Sequence, residues 1–388
     1  KSNLKPQRSF SRADIGKPCH VPPLGSEIGM CTCVPLKCKR LAWPCAGSGR
    51  GCAVAMTHAL HHGDSLAFMR DMPSASVDLI ATDPPYFKVK PHGWDRQWDK
   101  ASGFLEWCSE VLAEMERILK PNGSLYWFAS PQMTWAVEGR IRERFQVLNN
   151  IRWAKPSGWS NGACKQMLRS YFPEYETAIF AEQRGSDSMA RGEAGYVTAC
   201  DELRGFVFEP LRAYLAGEWE RAGLTSRDAN EATSSCMAGH WFTRSQWTLP
   251  TADKYALLQA RANVNGGEFL RREYEDLRRE YEDLRRPFCV TAEVAYTDTW
   301  TFPTVQSYAG KHPCEKPLAL MEQIVSASSR PGAVVFDPFM GSGTTGVAAV
   351  RLGRDFIGCD LGGEWVSVAR RRIESINEEP AQLMLAAE

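Results

Sequence analysis

The sequence predicts an α/β fold built on a mostly parallel sheet, and three observations carry the prediction. Apolar runs of strand length alternate with segments of helical period from Val77 onward. Two of these runs end in loops rich in Gly, Pro and Asp: Asp83-Pro84-Pro85-Tyr86 follows Val77 to Ala81, and Phe336-Asp337-Pro338-Phe339-Met340-Gly341-Ser342-Gly343 follows Val334 and Val335. Ligands of open α/β sheets bind beyond the carboxyl ends of the strands, so the two loops can share one site despite roughly 250 intervening residues. Between them, after about residue 200, the strand and helix rhythm gives way to helices alone.

Residues 1–55 are rich in Pro, Gly, Cys and Arg without periodicity, so disorder is expected there, with Met56 read as the natural start. Residues 56–199 carry the first part of the sheet. Val77 to Ala81 is a buried strand, and Phe104 to Leu119 is a helix by its apolar spacing. Lys120-Pro121-Asn122-Gly123 turns the chain into a strand from Ser124 to Ala129. Trp135 to Phe145 is helical, Leu148 to Trp153 a strand, Lys155 to Gly158 a break, and Tyr175 to Ala181 another strand.

Residues 200–290 form a helical insertion. Leu211 to Ala222 and Ser226 to Ala232 are helices joined by Gly223-Leu224-Thr225, a third lies near Met237 to Trp247, and a fourth runs from Ala252 to Ala262. This is a helix-turn-helix pattern, although a plain helical subdomain shares the same period. The segment Glu273 to Arg279 recurs identically at Glu280 to Arg286, with Leu270, Leu277 and Leu284 a heptad apart. Two heptads are short for a zipper, so packing on the domain itself is expected. In residues 291–376, Ala333 to Leu361 reads strand, glycine loop, helix, strand; 377–388 is read as an acidic tail.

Composition narrows the class. Among 388 residues, 46 Lys and Arg balance 46 Asp and Glu, so net charge neither favours nor excludes nucleic acid. Arg140, Arg142, Arg144, Arg152, Lys155, Lys165 and Arg169 form a basic stretch, which is a DNA face or a solvated one. No apolar stretch approaches the roughly 18 residues of a membrane span, and no signal peptide is evident, so a cytoplasmic protein is expected. Six of 13 cysteines fall in the first 55 residues without Cys-x-x-Cys spacing, so neither a metal site nor disulfides are expected.

Read literally, Gly341-Ser342-Gly343-Thr344-Thr345-Gly346 satisfies a dinucleotide fingerprint, with Asp360 at the next strand tip placed for ribose hydroxyls. Against a nicotinamide enzyme stand Asp337, which suits the amino group of a methionine moiety better than a pyrophosphate, and the lack of a companion βαβ half.

Together the two loops resemble the amino-group (N6-adenine or N4-cytosine) DNA methyltransferases, whose diagnostic motifs are an (Asp/Asn/Ser)-Pro-Pro-(Tyr/Phe/Trp) loop and a Phe-x-Gly-x-Gly loop. Gly63-Asp64-Ser65-Leu66 is similar to the family's Gly-Asp-x-Leu element, whose Asp faces the adenine of S-adenosylmethionine. His312-Pro313-Cys314-Glu315-Lys316-Pro317 is similar to its Lys-Pro segment, which lines the cofactor pocket. The order, catalytic loop first and glycine loop last, resembles the β group. The resemblance implies a permuted, S-adenosylmethionine-dependent, Rossmann-like seven-strand fold over Met56 to Ile376, with 200–290 as target-recognition domain. It implies cofactor contacts at Asp64, Lys316, Pro317, Phe336, Asp337, Pro338, Phe339, Gly341, Gly343, Thr344, Thr345 and Asp360.

An exocyclic amine is a poor nucleophile because its lone pair is delocalised into the ring. The Asp83 carboxylate and the Pro84 carbonyl can accept its N–H groups and aim the lone pair, Pro84 and Pro85 stiffen the loop, and Tyr86 offers a ring for a flipped base. Alone, the loop would be a Pro-Pro turn. Cys314 as a cytosine-C5 nucleophile would leave that loop unexplained. Asp at the first motif position is typical of the adenine-N6 members of the family it resembles, so the resemblance implies adenine N6, with cytosine N4 the alternative. Trp94, Trp98 and Phe87 to Lys90 are expected to border the base, and Trp153 and Lys155 resemble the family's base-pocket segment. Arg227, His240, Trp241, Arg244 and Gln246 are candidate groove contacts, with a core role the alternative for Trp241 and Trp247. The expected partner is duplex DNA in a bacterial or phage-type nucleoid, with any restriction endonuclease a separate protein and the enzyme a monomer or homodimer. A non-catalytic DNA-binding regulator and an RNA or protein methyltransferase are the competing readings.

Overall fold

The structure is a computed structural model that describes residues 58–385 apart from 90–91, 157–165, 167–168, 170, 172, 184–206, 237, 245–246 and 290–296. Residues 1–55, Met56, Lys165 and Gln246 therefore lie outside the described residues. From Val54 onward the chain is one compact unit.

Its centre is a mixed sheet of eight strands in the order β1-β8-β7-β2-β3-β5-β4-β6. The strands are β1 (His58–His62), β2 (Val77–Thr82), β3 (Leu119–Ala129), β4 (Phe145–Ala154), β5 (Tyr175–Gln183), β6 (Thr299–Thr301), β7 (Val334–Asp337) and β8 (Asp355–Asp360). β5 runs antiparallel to both β3 and β4, and every other neighbouring pair is parallel. Seven strands were expected; β6, three residues beside β4, is the eighth and too short to show alternation.

Alternation sorts the side chains onto two faces. Leu79, Ala81, Tyr126, Phe128, Ala178 and Phe180 face α8 (Leu318–Ser328), α9 (Thr344–Arg351) and α10 (Gly363–Leu385). Val77, Ile80, Leu125, Trp127, Ile179 and Ala181 face α1 (Ser65–Asp71), α2 (Ala101–Ile118) and α3 (Thr134–Arg142). Both faces are thus covered, as a parallel sheet requires. α10 runs on to Leu385, so the segment read as an acidic tail is helical over most of its length.

The insertion has its own core, in which Leu211, Leu215, Trp219, Trp241, Trp247, Tyr255, Leu258 and Leu277 are buried. Its helices are α4 (Glu209–Arg221), α5 (Ser226–Thr233), α6 (Ala252–Ala262) and α7 (Tyr274–Leu284). Gly223 at φ +70° turns the chain between α4 and α5, and a reciprocal Thr225–Asp228 capping box starts α5. The repeat forms α7, which buries Leu277 and rests Tyr274, Tyr281 and Leu284 on this core. Leu270 precedes the helix with φ +54°, so the stripe is one heptad shorter than its spacing implied. Arg330 donates to the carbonyls of Glu282, Asp283 and Arg285, which fastens the end of α7 to the sheet domain.

Candidate active site

β2 and β7 are parallel neighbours, so the loops that leave them emerge side by side. The Thr82 hydroxyl donates to Asp337 Oδ1 at 2.8 Å and ties the two strand ends together. Asp337 also accepts from the Thr345 hydroxyl at 2.6 Å and the Phe339 N–H at 3.1 Å. Its carboxyl is buried, which pushes it up to about 7 against the pull of these donors. Asp337 is turned inward and shapes the loop.

Beyond β2, Asp83 is half-buried, and a compact polar cluster surrounds it. The Lys316 ammonium is bonded to Asp83 Oδ2, and the Tyr86 hydroxyl donates to Asp83 Oδ1 at 2.5 Å. Glu176 reaches the same cluster from β5: its Oε2 lies 3.1 Å from the Tyr86 hydroxyl and 3.3 Å from Lys316 Nζ. Lys155, just past β4, binds Glu176 Oε1 and sits 4.8 Å from the centre of the Trp153 ring. Burial, with the charge of Glu176 added, raises Asp83 against the pull of Lys316. Burial also works against Glu176, but Lys316 and Lys155 outweigh it and hold that carboxyl low. Lys316 stays protonated despite its burial because two carboxylates face it.

The loop after Tyr86 is held open by a buried carboxylate. Asp95 accepts the Tyr86 N–H at 2.6 Å, its carbonyl accepts the Lys88 N–H at 2.7 Å, and Phe87 and Lys88 both take left-handed backbones at φ +64° and +61°. Each such residue costs on the order of 1 kcal/mol, which the packing of Phe87 on Phe104 helps offset. Trp98 packs on Phe104 and Trp107, and Trp94 stacks on His92, so Phe87 and Trp98 point toward α2 and not toward Asp83.

The glycine loop lies alongside. Gly341 and Gly343 have φ of +49° and +80°, and a Cβ on Gly341 would meet the His312 ring at 3.1 Å. Asp360, at the tip of β8, accepts the Gly341 N–H at 2.9 Å and the Gly362 N–H at 2.8 Å. β1 pairs with β8 so that His62 stands opposite Asp360, and this brings Asp64, the exposed N-cap of α1, to the same edge. Ser65 closes the corner by donating to the Pro338 carbonyl at 2.5 Å. Glu315 and Arg372 pair at 3.3 Å; Ser342 donates to Glu315 at 3.0 Å, and Arg372 donates to the Ser342 carbonyl at 2.8 Å.

The structure therefore brings together Asp64, Asp83, Pro84, Pro85, Tyr86, Lys316, Asp337, Pro338, Phe339, Gly341, Gly343, Thr344, Thr345 and Asp360. Phe336 is fully buried beneath the sheet, Thr344 and Thr345 are also buried, and Pro317 is buried as the N-cap of α8. Lys316 lies on Asp83. Lys155 is occupied by Glu176, and Trp153 is buried with its ring N–H donated to the Phe302 carbonyl at 2.8 Å. Trp241 is 7% exposed inside the insertion core, so it offers no groove contact. Arg227 and Arg244 are exposed on that domain, paired with Glu231 and Glu209. Three members of the basic stretch make local ion pairs, Arg140 with Glu143, Arg142 with Glu138 and Arg144 with Glu116. Sequence reasoning missed Glu176, Asp95, Thr82 and Arg372; each is a lone polar residue in ordinary surroundings, and only the fold gives it a partner.

A family model described as DNA methylase matches residues 77–371, more than half of the chain. The type II methyltransferase M2.DpnII of Streptococcus pneumoniae is 28% identical, with 82% of this chain and 90% of that protein covered. The DNA adenine methyltransferase YhdJ of Escherichia coli (strain K12) is 27% identical, with 83% and 84% covered. Among solved structures, a complex of M1.HpyAVI with SAM is 21% identical at a TM-score of 0.45, with 82% of this chain and 99% of that one covered.

Proposed function

The chain belongs to the DNA methylase family, and from that premise we propose that it transfers a methyl group from S-adenosylmethionine to the exocyclic N6 of adenine in duplex DNA. The observation that carries the reading is the junction of the two loops. The Thr82–Asp337 hydrogen bond holds the Asp83 loop and the glycine loop together at the carboxyl ends of adjacent strands, so a nucleophile beside Asp83 faces whatever the glycine loop holds. Asp83 at the first motif position favours adenine, and the similarity to a DNA adenine methyltransferase supports it.

The residues around the glycine loop fit the cofactor. Two left-handed glycines allow close backbone approach, and the carboxylates of Asp64 and Asp360, on adjacent strand ends, suit the amino and hydroxyl groups of a nucleoside. Phe339, Pro338 and the backbone from Gly341 to Gly343 would complete its walls. When bound, S-adenosylmethionine supplies an electrophilic methyl group on a sulfonium.

The protein's part is positioning and electrostatics. Asp83 accepts one N–H of the target amine and the Pro84 carbonyl accepts the other, which draws the nitrogen lone pair out of the ring. The stiff Pro84-Pro85 pair and the Asp95 bond to Tyr86 keep both acceptors aimed. The Tyr86 ring stacks the flipped base. The insertion, exposing Arg227 and Arg244, reads the target from a groove, and the enzyme works on chromosomal or phage DNA in the cytoplasm, with any cognate endonuclease a separate chain.

The test is incubation with labelled S-adenosylmethionine and unmodified genomic DNA, followed by mass spectrometry of the nucleosides, with Asp83→Ala as control. N6-methyladenine absent from the control is expected. N4-methylcytosine would replace the base while keeping the chemistry, and no label in DNA, with transfer to RNA supplied in its place, would overturn the reading.

A further inference from the structure

Methyl transfer to an amine leaves a proton to be placed. As the nitrogen–carbon bond forms and the carbon–sulfur bond breaks, sulfur keeps the bonding pair, and the nitrogen, now positive, sheds one proton. On the reading above, Asp83 is the group that touches that nitrogen. Yet Asp83 lies against the Lys316 ammonium, and a carboxylate owning a buried cation is a weak base.

The geometry shows what limits that ownership. Lys316 Nζ lies 3.3 Å from Glu176 Oε2, so the one ammonium is divided between two carboxylates. Glu176 arrives there because β5 runs antiparallel to its neighbours. Its first residues therefore stand at the carboxyl ends of β3 and β4, and Glu176 opposes Trp153 on the face shared with Ala178 and Phe180. Glu176 has a second cation of its own, Lys155, on Oε1. The groups facing Asp83 are Lys316 before α8, Tyr86 in its own loop, Glu176 on β5 and the buried Asp337 on β7. Those facing Glu176 are Lys316 and Lys155, with Tyr86 at 3.1 Å, while Cys314 faces Tyr86 and Lys316.

We propose that Glu176 is a positioning residue of the transfer. It draws the Lys316 ammonium toward itself and so leaves Asp83 basic enough to take the proton that the amino nitrogen sheds; Lys155 governs how strongly it draws. The opposite directions of the two carboxyls, Asp83 raised and Glu176 lowered, fit the division of labour in which one carboxylate works and the other stays ionised. The inference rests on Asp83 being the residue that meets the target amine.

Two substitutions, one at Glu176 and one at its partner Lys155, make a test of sign. Glu176→Gln removes the competing charge, gives Lys316 wholly to Asp83 and weakens Asp83 as a base. Lys155→Met removes the cation that restrains Glu176, so Glu176 draws harder on Lys316 and Asp83 becomes the stronger base. Single-turnover methylation of unmodified genomic DNA, followed across pH, is expected to show an acid limb moved down by about one pH unit in Glu176→Gln and up in Lys155→Met. Glu176→Gln should also lower the plateau by about tenfold, with the KM for S-adenosylmethionine within about twofold of the parent. Infrared titration of the free enzyme, using the carboxyl band lost in Asp83→Asn, should show the same opposed shifts without any turnover. Shifts of equal sign, or a fall in rate at an unmoved acid limb, would overturn the proposal and leave Glu176 a structural residue. Should the parent enzyme methylate no DNA, the reading of the site falls, and the free-enzyme titration alone decides whether Glu176 and Lys155 act on Asp83.

Discussion

Gly343 lies so close to α10 that a Cβ added to it would stand 2.6 Å from the Cβ of Ala369 and 3.0 Å from its Cα. Its φ of +80° is also a conformation that side chains resist. Gly343→Ala must therefore push the glycine loop away from α10 at a cost of about 1–3 kcal/mol. The expected result is a lower melting temperature together with loss of S-adenosylmethionine binding by equilibrium dialysis. Binding at parental affinity would show that the loop is not the cofactor's cradle.

Tyr86 contributes a ring and a hydroxyl, and these can be separated. Tyr86→Phe keeps the stacking surface and is expected to retain most of the affinity for DNA. Tyr86→Ala removes the surface, worth about 1–3 kcal/mol per stacked base, and should weaken productive DNA binding by about five- to 150-fold. Equal loss in both variants, measured by DNA titration at constant salt, would move the important interaction from the ring to the hydroxyl network with Asp83 and Glu176.

Asp337 makes stability depend on pH in a defined direction. Its carboxyl rises on folding from an ordinary 3.8 to about 7, chiefly through burial, so the folded chain holds a proton that the unfolded chain gives up. Its contribution is complete below pH 3.8 and is lost as the pH climbs toward 7. Melting temperatures of the parent and Asp337→Asn should therefore diverge as pH rises through this window, the variant gaining on the parent, and run parallel above it. Parallel curves throughout would show that Asp337 is ionised at no cost.

The insertion offers a contrast between core and surface. Trp241→Ala should destabilise that domain by about 3–5 kcal/mol, since it empties a buried site. Arg227→Ala touches only an exposed pair with Glu231 and should change stability by less than about 0.5 kcal/mol. If the insertion reads DNA, however, Arg227→Ala lowers affinity and reduces the salt dependence of binding. Unchanged affinity would place the groove contact elsewhere on the domain.

The contrast between Gly343 and Glu176 explains how much the sequence made legible. A glycine loop between an apolar run and a helix is a local signal, and β7, the loop, α9 and β8 follow one another within Ala333 to Leu361 in the order their pattern placed them. α6 has the bounds its period predicts, Ala252–Ala262. Glu176, by contrast, is one charged residue in a strand, and its role depends on β5 running against its neighbours, which no local pattern encodes. Lys155 read as a DNA contact for the same reason: its partner is 21 residues away and across a strand pair. Trp241 and Trp247 carried two meanings until their burial was known, and the charges after Ile376 hid the continuation of α10.

The strand order has a consequence for how the chain is made. β7 and β8, near the end of the sequence, lie between β1 and β2, near its beginning. On the ribosome, β1 and β2 must therefore wait without their shared neighbours until almost the whole polypeptide has emerged. The insertion, closed by local helix contacts, can finish much earlier. A nascent chain stopped before Val334 would carry a completed helical insertion on an open sheet, and a cut in the insertion of the finished protein would leave two fragments that still share one sheet. This makes the enzyme a natural candidate for division into halves whose reassembly reports on whatever brings them together.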